Sequence, residues 1–187
     1  MIIVCSLKDL ETVCESIHPS HVISVIDPGY APETPKGVKH HLKLGFDDIE
    51  SISSNNKIFR TNTNEIPQLP PNEKHIDSII NFTNTWNYIT PIVIHCWCGV
   101  SRSMATASFL MCKYDSSDIN RNIRYIRSVA NHANPNKLLL KLFEKSLKIS
   151  DDISKAFLQY PHTKTYDCSN NFPPITIFNI NDMKNFK

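Results

Sequence analysis

The most constraining feature of this 187-residue chain is a central run, residues 92–103, with the sequence IVIHCWCGVSRS. The run opens with β-branched apolar residues, which are typical of a strand buried in a sheet. A short stretch that contains Gly99 then separates Cys96 from Arg102, and the residues from Ser101 onward have the composition of a buried helix. The run therefore predicts a strand, a tight loop and a helix start, with a cysteine and an arginine at the two ends of the loop.

This spacing suits a site for one tetrahedral anion. Five residues lie between Cys96 and Arg102, which is enough chain to bring several backbone N–H groups onto the oxygens of such an anion. The helix that follows adds its first N–H groups and its dipole, and Arg102 offers a planar fork to two oxygens. Because the same field favours a thiolate, we expect Cys96 to be a nucleophile near neutral pH.

The other residues of the run have supporting parts. Gly99 permits a backbone angle or a close ligand approach that a side chain would obstruct. Ser103 can cap the helix and could stabilise the thiolate, and His95 is expected to fix the loop by hydrogen bonding from a semi-buried position. The expected anion-binding residues are Trp97, Cys98, Gly99, Val100, Ser101 and Arg102.

Five positions carry a family resemblance: His95, Cys96, Gly99, Arg102 and Ser103. Their spacing resembles the signature of protein tyrosine phosphatases, and the Gly-x-Ser-Arg-Ser ending is most similar to the dual-specificity branch. Residues 20–147 also resemble small bacterial tyrosine-phosphatase-like proteins, although only the loop is diagnostic. The resemblance implies hydrolysis of phosphomonoesters on protein, with phosphotyrosine as the first choice, through a phosphocysteine intermediate. It implies no metal or other cofactor, and a phosphorylated protein or peptide as partner.

Enzymes of this family also need an acid that protonates the leaving group. In the family this acid is an aspartate after the strand that precedes the helix leading to the catalytic strand. That place corresponds to Asp48, our preferred assignment, or to its neighbour Asp47, while Asp77 is a fallback within a helix. Asp48 lies farther from Cys96 than is usual in dual-specificity enzymes, and the excess matches a long loop predicted at residues 50–71.

Two further groups of polar residues are weaker candidates. Related enzymes place a water-positioning residue near the last helix, where this chain has Asn134 and Asn136, although helix capping is the simpler role for both. Arg121, Arg124 and Arg127 follow the loop along the chain. At least one of them could face the cleft and attract acidic substrates.

Other functions stay open at this point. An inositol-phosphate or phosphoinositide phosphatase would share the chemistry, but proteins of that kind carry lysines inside the loop and this loop has none. A catalytically weak phosphate-binding module would be favoured if neither aspartate could act as the acid. A rhodanese-like sulfurtransferase also uses a loop cysteine, but the flanking histidine and Arg-Ser pair favour the phosphatase. A Walker loop is excluded because no Gly-Lys-Ser/Thr follows a glycine-rich stretch.

Strand and helix patterns alternate along the chain, which predicts an α/β fold with a central, mostly parallel sheet flanked by helices. The phosphatase-type loop would lie between a central strand and a helix. We expect strands near residues 2–5, 22–26, 38–44 and 91–95, and helices near 7–16, 72–86, 101–113, after Ser116 or Ser117, and after Pro135. The length fits one phosphatase domain, residues 1–150, with a C-terminal helix and extended tail, residues 151–187, packed on it.

Composition limits where the protein works. No apolar run approaches the roughly 18 residues that span a bilayer, and the short apolar N-terminus predicts a strand rather than an export signal. Six cysteines without zinc-like pairs predict reduced thiols in a cytoplasmic protein. Cys98 could exchange oxidising equivalents with Cys96, although a small loop residue is the simpler role. We expect no nucleic-acid partner, and the oligomeric state is left open.

Overall fold

A computed structural model describes residues 1–56, 58, 67–149 and 152–187. The described residues form a five-stranded sheet made of β1 (Ile2–Ser6), β2 (His21–Ile26), β3 (His40–Gly45), β4 (Ile92–Cys96) and β5 (Thr176–Phe178). They also form the helices α1 (Leu10–Ile17), α2 (Glu73–Thr83), α3 (Arg102–Tyr114), α4 (Ile119–Val129), α5 (Lys137–Leu147), α6 (Asp152–Gln159) and α7 (Ile180–Lys184).

The strand order in the sheet is β3-β2-β4-β1-β5. The β2–β3, β2–β4 and β1–β4 pairs are parallel, whereas β5 runs antiparallel to β1. Strands β1, β2 and β4 are buried along their whole length. Such burial on both faces is typical of a parallel sheet that is covered by helices on both sides. The predicted α/β class with a central, mostly parallel sheet is therefore confirmed.

Helices cover both faces of the sheet and create a core on each side. On one face Leu10 and Val13 of α1 pack with Ile3 and Val93, and the larger core on the other face includes α2 to α7. Helix α3 is almost entirely buried there, as its composition predicts. The ring of Phe109 on α3 stacks on the ring of Phe143 on α5, with the centroids 4.1 Å apart. Helix α3 therefore gives the loop before it a rigid support.

The C-terminal part of the chain is tied into this core. Ser154 of α6 donates its backbone N–H and its hydroxyl to the buried Glu144 carboxylate, at 2.6 and 2.9 Å. The backbone N–H of Asn179 donates to the hydroxyl of Tyr125 at 2.9 Å. Strand β5 extends the central sheet beyond β1, so the segment does more than lie along the domain. The boundary at residue 150 stays a prediction.

Two local expectations need comment. Helix α4 is capped by Asp118, which accepts from the backbone of Arg121 at 2.8 Å, and not by Ser116 or Ser117. The prediction was wrong because Ser117 bonds Asp115 in the preceding turn. The long loop predicted at residues 50–71 includes residues 57 and 59–66, which lie outside the described part. None of the helices in the described ranges is long and apolar enough to cross a membrane.

Candidate active site

The loop of residues 96–102, here called the signature loop, connects β4 with α3. Strand β4 lies between β1 and β2, so the loop leaves the carboxyl end of a central parallel strand. In open α/β sheets, ligands bind in the crevice outside the carboxyl ends of the strands. The strand, loop and helix predicted from residues 92–103 are therefore present and lie where a ligand site is expected.

The sulfur of Cys96 has hydrogen-bond partners from the loop and from the helix. The backbone N–H of Gly99 donates to Sγ at 3.2 Å, and the Ser103 hydroxyl lies 3.1 Å from the same atom. The side chain is buried at the start of α3, where the helix dipole favours negative charge. The sulfur therefore lies at the positive end of the helix dipole and in contact with the Ser103 hydroxyl.

Gly99 is required by the packing of the loop. Its φ angle is +78°, and a Cβ atom there would lie 2.9 Å from the carbonyl carbon of Cys5 at the end of β1. The loop is also tied to the same region by the Leu7 N–H, which donates to the Trp97 carbonyl at 3.1 Å. The close approach that needs a glycine is thus an approach to β1, and it fixes the shape of the signature loop.

The guanidinium of Arg102 is fully buried and held from two sides. Its Nη1 donates to Asp27 Oδ1 and to the carbonyl of Phe46, both at 2.6 Å. A buried charge is costly unless it is paired, and Asp27 supplies the opposite charge from the end of β2. Asp27 was not predicted as a site residue because Asp-Pro-Gly is also an ordinary turn. An acid at the carboxyl end of a buried strand was the available signal.

Asp48 lies at the Ser101 end of the signature loop. Its Oδ1 accepts from Ser101 Oγ and from Asn136 Nδ2, both at 2.8 Å, and its Oδ2 lies 3.7 Å from Arg102 Nε. Asn136 also accepts from the backbone of Leu139, so it caps α5 and holds Asp48 at once. The carboxyl group is 24% exposed and can meet a bound molecule.

The other two acid candidates lie elsewhere. Asp47 is 1% exposed, and its Oδ2 accepts from the backbone of Leu69 at 2.7 Å, so it holds the chain shortly before α2. Asp77 is exposed on α2 and lines a different pocket with Leu142 and Lys145 of α5. The geometry therefore favours Asp48. Asn134 reaches the loop only through its backbone, which donates to the Val100 carbonyl at 3.0 Å.

His95 is fully buried rather than semi-buried, because β4 is covered on both faces. Its Nε2 lies 2.6 Å from Ser24 Oγ, which in turn lies 2.7 Å from His41 Nε2. Its Nδ1 lies 3.3 Å from the carbonyl of Cys96. Burial lowers the pKa of both His95 and His41 to about 4, so both rings are neutral at pH 7. The network fixes the backbone at Cys96, and sequence reasoning missed Ser24 and His41.

This burial predicts a pH dependence of stability. Because the folded-state pKa of His95 is about 4 and that of an unfolded histidine is about 6.5, the unfolded chain binds the proton first on acidification. The contribution is present above pH 6.5 and is lost toward pH 4. Between pH 7 and pH 5 the free energy of unfolding should fall by about 2 kcal/mol from this group alone. Urea unfolding at both pH values measures the change.

A non-titrating replacement isolates this effect. His95→Gln should remove about 2 kcal/mol of the pH dependence, whatever its effect on stability at pH 7. His18→Asn, at an exposed position with a left-handed backbone that asparagine tolerates, is the matched control and should keep the wild-type dependence. An unchanged slope in His95→Gln would contradict the buried neutral state of this ring.

The three arginines of α4 have structural partners. Arg121 pairs with Asp115 at 2.6 Å, and Arg124 lies over the ring of Phe186 at 5.7 Å. Arg127 donates to the carbonyls of Tyr160 and Ala133, which joins α4 to the C-terminal segment and to the loop before α5. The expectation that one of these arginines faces the cleft is not supported, because Arg121 pairs with the preceding turn and the other two pack against later parts of the chain.

Cys98 is joined to Cys168 by a disulfide, with the Cα atoms 5.8 Å apart. The expectation that all six cysteines are reduced thiols was therefore wrong for these two. The C-terminal segment brings a different partner to Cys98, and an exchange between Cys98 and Cys96 stays a prediction. Seventy residues separate the bonded pair, and no local pattern could reveal it. The remaining four cysteines are free and buried.

An open cleft of about 560 Å³ lies beside the Asp48 end of the signature loop. Its lining is mostly polar and includes Asp48, Glu50, Ser101, Asn134, Asn136 and Lys137. The cleft can admit a polar chain next to the carboxyl group of Asp48. The opposite end of the loop, at Trp97, packs edge-on against Tyr30, with ring centroids 5.3 Å apart.

Solved structures of other proteins share this architecture. No family model matches the chain, and no curated protein sequence matches it. Among solved structures, the chain resembles DUSP15 with a TM-score of 0.58 and 14% identity, over 87% of this chain and 94% of that one. The Yvh1 phosphatase domain from Chaetomium thermophilum gives a TM-score of 0.55 and 19% identity, over 79% of this chain and 90% of that one. The fold is that of the dual-specificity phosphatases.

A third similar structure is PTPMT1 in complex with PI(5)P. It matches with a TM-score of 0.55 and 12% identity, over 86% of this chain and 95% of that one. The phosphatase fold expected from the resemblance is thus present, while the likeness to small bacterial relatives stays a prediction. At these identities the comparisons define the fold alone.

Proposed function

We propose that this chain is a cysteine-dependent phosphatase that hydrolyses phosphomonoesters on proteins, with phosphotyrosine as its preferred substrate. The observation that supports this most is the convergence of Cys96, Arg102 and Asp48 around one loop at the carboxyl end of β4. A phosphatase of this type needs a nucleophile, an anion-binding fork and an acid within reach of one another. A buried structural cysteine would need neither of the other two.

The reaction runs in two steps through a phosphocysteine. In the first, the Cys96 thiolate attacks phosphorus, the S–P bond forms, and the P–O bond to the leaving group breaks while Asp48 donates its proton to that oxygen. In the second, water attacks phosphorus and gives a proton back to Asp48, and the thiolate leaves. The signature-loop N–H groups and Arg102 hold the phosphoryl oxygens, and Ser103 steadies the departing sulfur.

The proposal includes the conditions under which the enzyme works. Four of the six cysteines are free, which fits a protein of the cytoplasm, where a disulfide such as Cys98–Cys168 is expected to be transient. The substrate is a phosphorylated protein or peptide, and the mechanism uses no metal or other cofactor. The polar cleft beside Asp48 would receive the residues that flank the phosphorylated side chain.

An assay of the purified chain against several substrate classes tests the proposal. Phosphotyrosine peptides should be hydrolysed in the presence of a metal chelator, with phosphoserine peptides and phosphoinositides slower. Hydrolysis that disappears on chelation would contradict the thiolate mechanism. Failure to hydrolyse any of these substrates would favour a catalytically weak phosphate-binding module.

A phosphoinositide or inositol-phosphate phosphatase is the second candidate. One observation favours it, namely the similarity to PTPMT1, which was solved with PI(5)P bound. The absence of lysine from residues 97–101 argues against it, since extra phosphates need extra positive charge. In the same assay, faster hydrolysis of a phosphoinositide than of every phosphopeptide would establish this alternative.

If Asp48 is the general acid, the loss of turnover on replacing it should depend on the leaving group of the substrate. Asp48→Asn keeps the shape of the side chain but has no proton to donate, so turnover of phenyl phosphate should fall by about 10²-fold. The loss should shrink with p-nitrophenyl phosphate, because its leaving group needs little protonation. Steady-state kinetics with the two substrates measure the difference.

Asp77→Asn is the matched control for this experiment, because the residue is exposed on α2 and away from the signature loop. It should behave as the wild type with both substrates. A loss in Asp48→Asn that is equal for both leaving groups would mean that the residue positions Arg102 and does not supply the proton. If Asp47→Asn shows the leaving-group effect instead, the two assignments are exchanged.

A further inference from the structure

The segment of residues 161–172, here called the C-terminal strap, runs along one flank of the signature loop. Near its start, the backbone N–H of Thr163 donates to the carbonyl of Asn131 at 2.9 Å. The ring of Tyr166 then packs on that of His132, with centroids 5.4 Å apart. The strap next reaches the loop itself, where Cys168 is bonded to Cys98.

The end of the strap stays beside the loop. Phe172 and Cys168 line an open pocket of about 170 Å³ together with Trp97 and Cys98. The ring of Phe172 also lies 5.5 Å from the ammonium of Lys8. The strap therefore lines the Trp97–Cys98 side of the loop, while Asp48 and the polar cleft occupy the Ser101 side.

Few non-covalent contacts hold the strap in this place. Most of its side chains are exposed, and it forms neither helix nor strand between α6 and β5. A segment with so little buried surface opens at low free-energy cost. The covalent bond between Cys98 and Cys168 is therefore the main restraint at the middle of the strap.

The two bonded cysteines are also the accessible ones. Both are partly exposed, whereas the four free cysteines are buried. A disulfide that solvent can reach is open to exchange with thiols, while a buried one is protected. Because the bond uses Cys98, it also keeps this thiol from reacting with Cys96 in the same loop.

We infer that Cys98 and Cys168 form a redox-controlled clamp that regulates access to the proposed active site. When the disulfide is formed, the strap covers one side of the signature loop and restricts the access of large phosphoprotein substrates. When the bond is reduced, the strap moves away from the signature loop and the opening of the proposed active site widens. The inference rests on the proposed function and adds its regulation.

The chemistry of the clamp balances with an ordinary peroxide or a small disulfide. Peroxide takes two electrons and the two thiol protons, so that the S–S bond forms and water is released. Oxidised glutathione achieves the same by exchange and leaves as two thiols. A dithiol reductant reverses the step by forming its own cyclic disulfide.

Kinetics with a small and a large substrate test the clamp. In the full chain, reduction should raise kcat/KM for a folded phosphotyrosine protein by about fivefold or more, the scale of a gating effect. It should leave kcat/KM for p-nitrophenyl phosphate within about twofold, since a small substrate passes the strap. Cys168→Ser should match the reduced wild type in both states. Equal effects of reduction on both substrates would overturn the clamp, because they would report oxidation of Cys96 itself.

A second measurement does not depend on activity. Trypsin should cut after Lys164, an exposed residue of the strap, several-fold faster in the reduced protein and in Cys168→Ser than in the oxidised protein. Equal cleavage rates, or six free thiols in the protein after mild oxidation, would overturn the clamp. Redox-dependent cleavage in a protein that hydrolyses no substrate would instead overturn the proposed function and leave the clamp in place.

Discussion

Replacing Cys96 by serine is expected to abolish hydrolysis of aryl phosphates while leaving the binding of a phosphate analogue intact. The thiolate supplies the nucleophile, and a serine hydroxyl in the same place has no base beside it to activate it. Binding depends on loop N–H groups and on Arg102. A serine oxygen can still accept the hydrogen bond that Gly99 donates to the Cys96 sulfur, and Arg102 keeps its bond to Asp27. Turnover should fall by at least about 10⁴-fold, as for other catalytic nucleophiles. Steady-state kinetics and calorimetric titration with tungstate measure the two effects.

Cys112, which lies in the helix that follows the signature loop, provides the control. Cys112 is fully buried in α3, and burial raises the pKa of its thiol to about 12, so it stays protonated. Cys112→Ala should keep the activity of the folded protein, with a modest loss of stability from the small cavity. Turnover that persists in Cys96→Ser, or that disappears equally in Cys112→Ala, would remove the basis of the thiolate mechanism.

The order of strands and helices was predictable because the signals are local. Strands β1, β2 and β4 are mostly apolar and buried along their whole length, as expected for strands that helices cover on both faces. Strand β5 was only expected as an extended stretch. It has three residues, and its position depends on antiparallel pairing with β1, which lies near the opposite end of the sequence. Pairing of that kind is set by tertiary contacts, which a short segment does not encode by itself.

The residues of the site likewise fall into those that local sequence could predict and those that depend on distant parts of the chain. The signature loop could be described in advance because its residues are neighbours in sequence. Asp27 could not, since 75 residues separate it from Arg102, and neither could the Cys98–Cys168 bond. The choice between Asp47 and Asp48 was open because adjacent residues of a loop point in different directions. The bonds that Ser101 and Asn136 donate to Asp48, and the burial of Asp47, distinguish the two carboxylates.

Arg102→Lys is expected to be the most damaging change at the anion-binding side of the site. Nη1 of the guanidinium bonds both Asp27 and the Phe46 carbonyl, whereas Nε has no hydrogen-bond partner among the described residues and would bind phosphate in the proposed mechanism. A single ammonium cannot reproduce this geometry. We expect kcat/KM for an aryl phosphate to fall by about 10³-fold, on the scale of two lost charge-assisted hydrogen bonds. The tungstate affinity should fall as well, in contrast to Cys96→Ser.

Asp27→Asn separates the positioning of Arg102 from its charge. Asparagine can still accept the hydrogen bond from Nη1, but the buried guanidinium loses its opposite charge, which should destabilise the fold by about 3 kcal/mol. Because the fork stays near its place, the folded variant should lose only about tenfold in kcat/KM, far less than Arg102→Lys. Chemical denaturation and kinetics on the same samples distinguish the two effects. A loss of activity as large as that of Arg102→Lys, without a loss of stability, would mean that Asp27 acts directly on the substrate, and the assignment of its role to the support of Arg102 would be wrong.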